Sequence, residues 1–157
     1  MYIADIIEAA ALFENRDIFN VLSRLHIGVQ PMSTPLVNGA ESLIIGDKNG
    51  TLILIGPNKD DAYRRFLLWH ELGHFVTDAS AAYRRNFMFS EKRLEHEMEA
   101  NIFAVLVLMP PTCPPGENMF TVAKQRGIPP DVLRDVMYRL RLDTDPTVAH
   151  YFDSYYK

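Results

Sequence analysis

The amino-acid sequence predicts a mixed α+β fold in which helices surround one small β-sheet. Segments with apolar residues at helical spacing stand on both sides of two β-branched-rich runs, residues 42–46 and 51–55. The turn cluster Asp47-Lys-Asn-Gly joins the two runs, as is typical of a β-hairpin. The hairpin therefore supplies the predicted sheet, and the flanking segments supply the predicted helices.

Length, charge and cysteine content limit the classes of protein to which this chain can belong. The 157 residues are 48% hydrophobic and 23% charged, which predicts a single globular domain over residues 1–157. A net charge of −4 gives no broad basic field for non-specific nucleic-acid binding. The single Cys113 cannot form an internal disulfide, and the longest apolar run, residues 102–109, is far shorter than the roughly 20 residues of a membrane span. The N-terminus lacks a signal-peptide pattern, so we expect a cytoplasmic protein with no membrane partner.

The segment before the hairpin predicts helix and then loop. Apolar periodicity over residues 2–25 favours a helix, which Asn15-Arg16-Asp17 can divide in two. His26 follows the last turn and is interpreted as a capping or packing residue. Residues 31–41 contain two prolines and an Asn-Gly pair, and they predict a loop.

The predicted helix after the hairpin, residues 61–76, carries the motif His70-Glu-Leu-Gly-His74. Two histidines four residues apart lie within about 40° of each other on one helix face, where both imidazoles reach a single metal ion. Bulky apolar neighbours predict burial, and a buried histidine or glutamate is costly unless it is paired or bound to metal. The motif therefore predicts a metal site, and Glu71 can reach a water held there.

A third metal ligand is expected downstream, because tetrahedral zinc that keeps one position for water takes three protein ligands. The predicted helix at residues 90–108 offers Glu95, His96, Glu97 and Glu99. Alternate positions on a helix point about 200° apart, so the three glutamates cannot all face the metal. The spacing along the helix favours Glu97 as the third metal ligand. Glu99 is the alternative, and Glu95 and His96 are interpreted as solvated residues of the first turn.

Asn101 lies one turn beyond Glu97 on the same helix face. Its side chain is placed to accept the second ring N–H of a ligand histidine, a contact that fixes the histidine tautomer in many zinc sites. The small side chains of Ala100 and Ala104 let the two helices approach. We therefore predict that Asn101 supports the metal site without binding the metal.

The C-terminal part of the chain predicts a short helix, a turn and a second helix within residues 119–142, packed on the domain. A helix-turn-helix DNA reader is the alternative interpretation. Few basic residues accompany these helices, so direct nucleic-acid binding is not expected. The aromatic tail at residues 149–157 is expected to dock on the body of the protein.

Three stretches together resemble the signature of the ImmA/IrrE-type metallopeptidases. They are His70-Glu-Leu-Gly-His74, Glu97-x-x-Ala-Asn101-x-Phe103-Ala104 and Leu108-Met109-Pro110. These enzymes are small gluzincins, so the resemblance, which covers most of the chain, implies a zincin-like fold. It also implies that His70, His74 and Glu97 bind a zinc ion and that Glu71 is the catalytic glutamate.

The resemblance further implies a regulatory role. Family members with assigned functions cleave or inactivate helix-turn-helix repressors, which makes such a repressor the expected protein partner. Residues 78–89 have no regular pattern and match no family pattern, so substrate contacts from this segment are not carried over.

These expectations combine into a zinc-dependent endopeptidase. Glu71 would take a proton from the attacking water as general base and pass it to the leaving amine. Residues 51–55 are expected to form an edge strand that binds an extended peptide. The alternatives are an inactive pseudo-peptidase that regulates by protein binding, and a DNA-binding regulator. Candidate donors to the oxyanion are Tyr83, Arg84, Arg85 and His150.

Overall fold

The computed structural model describes residues 1–77, 90–110, 115–146 and 148. Several sequence expectations lie outside the described residues: the irregular segment 78–89 with three of the oxyanion candidates, Cys113, and the tail 149–157 with His150. In the described part of the chain, no helix is long and apolar enough to cross a membrane.

The described residues form six α-helices and one three-stranded sheet, which confirms the mixed α+β class. A 3₁₀ turn, Val37–Gly39, lies in the predicted loop before the hairpin. The α-helices are α1 (Ile3–Ala11), α2 (Ile18–Arg24), α3 (Asp61–Thr77), α4 (Ser90–Leu108), α5 (Met119–Gln125) and α6 (Pro130–Arg141).

The N-terminal helical segment divides in two, as predicted, although α1 already ends at Ala11, before Asn15. Asn15 has a φ of 58°, a left-handed conformation that a right-handed helix cannot contain. Asp17 then caps α2, because its Oδ1 accepts a hydrogen bond from the Phe19 N–H at 2.7 Å. His26 is exposed and has a φ of 56°, so it forms the sharp junction between α2 and the first strand.

The sheet has the strand order β1-β3-β2, with β1 at Ile27–Pro31, β2 at Ser42–Asp47 and β3 at Gly50–Ile55. The predicted hairpin is confirmed as the antiparallel pair β2–β3, whereas β1 pairs with β3 in parallel. The prediction that residues 51–55 form an edge strand is wrong, because β1 occupies the second side of β3. Among the described residues, β2 pairs only with β3 and is therefore the edge strand of the hairpin.

Strand β1 carries only a weak local signal of a strand, the alternation of Ile27 and Val29. It contains Gly28 and ends at Pro31, and both residue types are poor strand formers. Its stability comes from parallel pairing with β3 and from the burial of Ile27, which is 5% exposed. Parallel pairing joins segments that are distant in sequence, so a local pattern does not encode it.

Helix α3 lies between α4 and the inner face of the sheet. Its residues 66–74 are all buried, as predicted for a helix with apolar side chains on several faces. The ring of Phe13 on the N-terminal segment meets Trp69 edge-on at 6.0 Å and Phe103 of α4 at 5.7 Å. The centre of α3 is thus enclosed by neighbouring elements, and any polar group on it requires a partner.

Helices α5 and α6 pack on the same hydrophobic core. Leu133, Val136 and Leu140 of α6 are at most 1% exposed and belong to the cluster that includes α4. Gly127, in the turn between α5 and α6, has a φ of 77° and lies against the backbone of Ala62 at the start of α3. The helical pair therefore contacts both helices that carry the predicted metal ligands.

Candidate metal centre

Helix α3 presents His70 and His74 on its face toward α4. Asp60 caps the N-terminus of the helix, because its Oδ1 accepts a hydrogen bond from the Tyr63 N–H at 2.8 Å. It continues unbroken through the motif, so the four-residue spacing brings the two rings edge to face, with centroids 4.7 Å apart. The Nε2 atoms of the two histidines are 3.2 Å apart. Both side chains are buried, His74 almost completely.

Glu97 of α4 completes a three-residue cluster with these histidines. Its Oε2 lies 3.2 Å from His70 Nε2, and its Oε1 lies 3.3 Å from His74 Nε2. One ligand atom from each residue falls within 4.8 Å of the others, the spacing expected of groups that hold one metal ion. The structure therefore brings together the three residues predicted as metal ligands.

The donor set fits a tetrahedral zinc ion. Zinc binds imidazole nitrogen and carboxylate oxygen at about 2.0–2.1 Å, which corresponds to about 3.3 Å between neighbouring ligands of a tetrahedron. The two histidine Nε2 atoms, 3.2 Å apart, agree with that value, and the Glu97 carboxylate spans both nitrogens, with Oε2 3.2 Å from His70 and Oε1 3.3 Å from His74. The two imidazoles are buried and the Glu97 side chain is 40% exposed, so three lone-pair donors converge at the edge of the core, where a cation would offset their mutual repulsion. A borderline metal such as zinc suits two nitrogens and one oxygen.

Asn101 orients His70 from the side opposite the cluster. The Nδ1 of His70 and the Oδ1 of Asn101 are 2.8 Å apart. Because the amide oxygen can only accept, the Nδ1–H donates to it, and this tautomer leaves a lone pair on Nε2. That lone pair points into the cluster with Glu97, as a metal ligand requires.

The charge of Glu97 is set by two opposing effects. Burial raises its pKa, but hydrogen bonds and positive charge from His70 and His74 in their protonated form outweigh burial, and the pKa lies well below the usual glutamate range. Glu97 is therefore a carboxylate at neutral pH. An anionic oxygen ligand beside two imidazoles is ready to bind a divalent cation.

The other candidate ligands on α4, Glu95, His96 and Glu99, do not join the cluster. Glu99, the alternative ligand, is 6% exposed, and its Oε1 accepts a hydrogen bond from the amino group of Met1 at 2.7 Å. Glu95 is exposed, as expected. The interpretation of His96 as solvated is wrong, because its side chain is 24% exposed and its Nδ1 lies 3.4 Å from Glu99 Oε2. The turn of the helix separates these residues from Glu97.

Glu71 points from α3 toward the sheet. Neighbouring positions on a helix differ by about 100°, so Glu71 faces β2 while His70 faces α4. Its side chain is 1% exposed, and its Oε1 accepts a hydrogen bond from the Ser42 hydroxyl at 2.7 Å. Sequence reasoning missed Ser42 as a residue of the site. The available signal was the alternation of β2, which places Ser42 on the same inward face as Ile44.

Comparison with known proteins agrees with the geometry. The family model Peptidase M78, described as the IrrE N-terminal-like domain, matches residues 24–113. The matched range contains the sheet, α3 and α4, and with them every residue of the candidate site. No curated protein matches the sequence. The family match covers more than half of the chain, which therefore belongs to the Peptidase M78 family.

Proposed function

We propose that this protein is a zinc-dependent endopeptidase that hydrolyses a peptide bond in a helix-turn-helix repressor. The observation that carries the proposal is the convergence of His70, His74 and Glu97, whose ligand atoms lie within 4.8 Å of one another, in a member of a peptidase family. Glu71 stands on the same helix, with its carboxylate buried against the edge strand. These are the parts needed for metal-assisted hydrolysis.

A zinc ion held by these ligands would supply Lewis acidity toward the attacking water and the scissile carbonyl. The protein's own acid–base group would be Glu71, whose carboxylate accepts one proton of the water. The water oxygen forms a bond to the carbonyl carbon, and the carbon–nitrogen bond breaks as Glu71 delivers that proton to the leaving amine. Glu71 thus ends the reaction as it began, as a carboxylate.

The edge of β2 is the proposed binding site of the substrate. Glu71 contacts Ser42 at the start of this strand, so a peptide paired with β2 would run past the base. An extended peptide can add to a strand edge through main-chain hydrogen bonds. This replaces the expectation that residues 51–55 would be the docking strand, since β3 has a partner on each side.

The proposed substrate class comes from the family resemblance. Helix-turn-helix repressors are the targets that the resemblance implies, and such a substrate would present an extended segment to pair with the edge of β2. The alternative is a pseudo-peptidase that binds the repressor and acts by displacement, or a regulator that binds DNA through α5 and α6.

Replacement of Glu71 tests the proposal. Glu71→Gln keeps the size of the side chain and removes the base, so the variant should bind zinc at the wild-type stoichiometry and lose cleavage by at least about 100-fold. Glu8→Gln on the exposed face of α1 is the matched control and should behave as wild type. The readouts are metal content by elemental analysis and fragments by mass spectrometry after incubation with a repressor encoded by a neighbouring gene.

The outcomes separate the candidate functions. Full activity in Glu71→Gln would refute the mechanism. Stoichiometric zinc with an intact repressor, held in a stable complex by the wild-type protein, would favour the pseudo-peptidase. Salt-dependent retardation of DNA by the protein alone would favour the DNA-binding regulator.

A further inference from the structure

The hydroxyl of Ser42 donates a hydrogen bond of 2.7 Å to Glu71 Oε1, and both side chains are buried, at 8% and 1% exposure. We propose that Ser42 is a positioning residue, which holds the Glu71 carboxylate in the orientation that accepts the proton of the attacking water. This inference rests on the proposed peptidase function. It adds a residue from the sheet to a site whose other members lie on α3 and α4.

The backbone at Ser42 is held firmly in the sheet, so its hydroxyl can fix the position of the Glu71 carboxylate. Ser42 pairs with Ile55 across the hairpin, and the Gly56 N–H donates to the Glu41 carbonyl oxygen at 2.9 Å just beyond that pair. A Cβ on Gly56 would lie 3.1 Å from the same oxygen, so the two chain segments are in close contact. The start of β2 is therefore anchored to β3, and the hydroxyl projects from a rigid element.

A carboxylate needs such a partner for orientation. The last torsion of a glutamate side chain is broad, so helix geometry alone does not set the plane of its two oxygens. A hydrogen bond to a charged acceptor in a buried setting is stronger than one in water, and it favours a single orientation. Ser42 thereby links the carboxylate of Glu71 to β2, the strand proposed to bind the substrate. The position of the base relative to the bound peptide is then fixed by one rigid element.

The first test compares three variants in steady-state kinetics with an internally quenched peptide, selected from a library for cleavage by the zinc-loaded wild-type protein. Ser42→Ala should lower kcat by about 10- to 100-fold with KM within twofold of wild type, because orientation is lost and binding is not. Ser42→Thr restores a hydroxyl on a β-branched residue suited to a strand and should recover most of kcat. Ser23→Ala, at an exposed position of α2, should equal wild type.

The second test does not depend on activity. The infrared carboxylate band of Glu71 is identified as the band absent from Glu71→Gln, and it should shift in Ser42→Ala but not in Ser23→Ala. Zinc content and thermal midpoint are measured on every variant. An unshifted band in Ser42→Ala would overturn the proposal, as would wild-type kcat in that variant. Loss of zinc or of folding that accounts for the lower rate, or a folded, zinc-bound Ser42→Thr that recovers nothing, would also overturn it.

Failure of the positioning role is distinguishable from failure of the proposed function. A wild-type protein that binds zinc and cleaves no library peptide would remove the peptidase function, and the role of Ser42 with it. An active wild type with an equally active Ser42→Ala would remove only the role of Ser42. An active wild type, a slow Ser42→Ala and a recovered Ser42→Thr would support both.

Discussion

Gly73 lies directly against Ala100, and this contact sets the distance between α3 and α4. A Cβ on Gly73 would lie 3.0 Å from both the Cα and the carbonyl oxygen of Ala100, and 3.2 Å from Phe103 Cδ1. Two helices can approach this closely only where both carry small residues. The contact stands one turn along α4 from Glu97, so it brings that carboxylate within reach of the histidines.

Gly73→Ala is therefore expected to weaken both the fold and the metal site. Alanine gains up to about 1 kcal/mol of helix propensity, but overpacking against backbone costs about 1–3 kcal/mol, so we expect a net loss of about 1–2 kcal/mol. Displacement of α4 should also raise the Kd for zinc by at least about tenfold. Urea unfolding of the metal-free protein and competitive zinc titration measure the two effects. Unchanged values in both would contradict the role assigned to this contact.

Glu97→Gln tests the third ligand. The amide has the same shape but lacks the negative charge, so zinc affinity should fall by more than the roughly 10- to 100-fold that loss of a supporting residue costs. Glu95→Gln is the matched control on the same helix, because Glu95 is exposed. Zinc titration against a chelator of known affinity gives the comparison. Equal losses in the two variants would show that net charge, and not ligation, controls affinity.

A comparison of Gly127 with Gly116 distinguishes the stability cost of a left-handed backbone conformation from the cost of a steric clash. Their φ values are 77° and 80°, but a Cβ on Gly127 would lie 2.1 Å from the Ala62 carbonyl oxygen, whereas one on Gly116 meets no atom of the described residues within 4 Å. Gly116→Ala should cost about 1–2 kcal/mol for the left-handed conformation alone. Gly127→Ala should cost at least about 2 kcal/mol more, because the turn must move away from α3. Chemical denaturation of both variants measures the difference, and similar losses would argue against the close contact.

The lowered pKa of Glu41 predicts a pH-dependent contribution to the free energy of unfolding. Hydrogen bonds from Lys59, at 2.8 Å, and from the Tyr63 hydroxyl hold the pKa of Glu41 below its usual value of 4.5. Because the folded-state pKa is the lower one, the stabilisation is complete above about pH 4.5 and is lost as the pH falls through the folded-state value. The Glu41 side chain is 48% exposed, so we expect less than about 1 kcal/mol.

The measurement compares unfolding free energies of wild type and Glu41→Gln at several pH values from 7 down to 4. The difference should be constant at the upper end and shrink below pH 4.5. Glu8→Gln, at an exposed position of α1, is the control and should show a smaller difference throughout. A gap between wild type and Glu41→Gln that widens on acidification would contradict the sign of this linkage.

Local patterns were sufficient for most elements of the fold. The hairpin, the motif helix and the helix that carries Glu97 follow from alternation, helical periodicity and turn residues, which act over a few residues. Strand β1 and the position of β3 in the sheet did not follow, because parallel pairing joins residues such as Ile27 and Thr51 across the intervening chain. The error about the edge strand came directly from the missing β1.

The sequence by itself determined which residues can bind a metal. The spacing of His70 and His74 on a helix, and the helical phase that separates Glu97 from Glu99, are properties of one helix each, and the geometry of a helix is known in advance. Only the tertiary structure decided how these helices meet. The approach of Gly73 to Ala100 and the hydrogen bond from Ser42 to Glu71 join segments that are far apart along the chain, and such contacts depend on how the whole core packs.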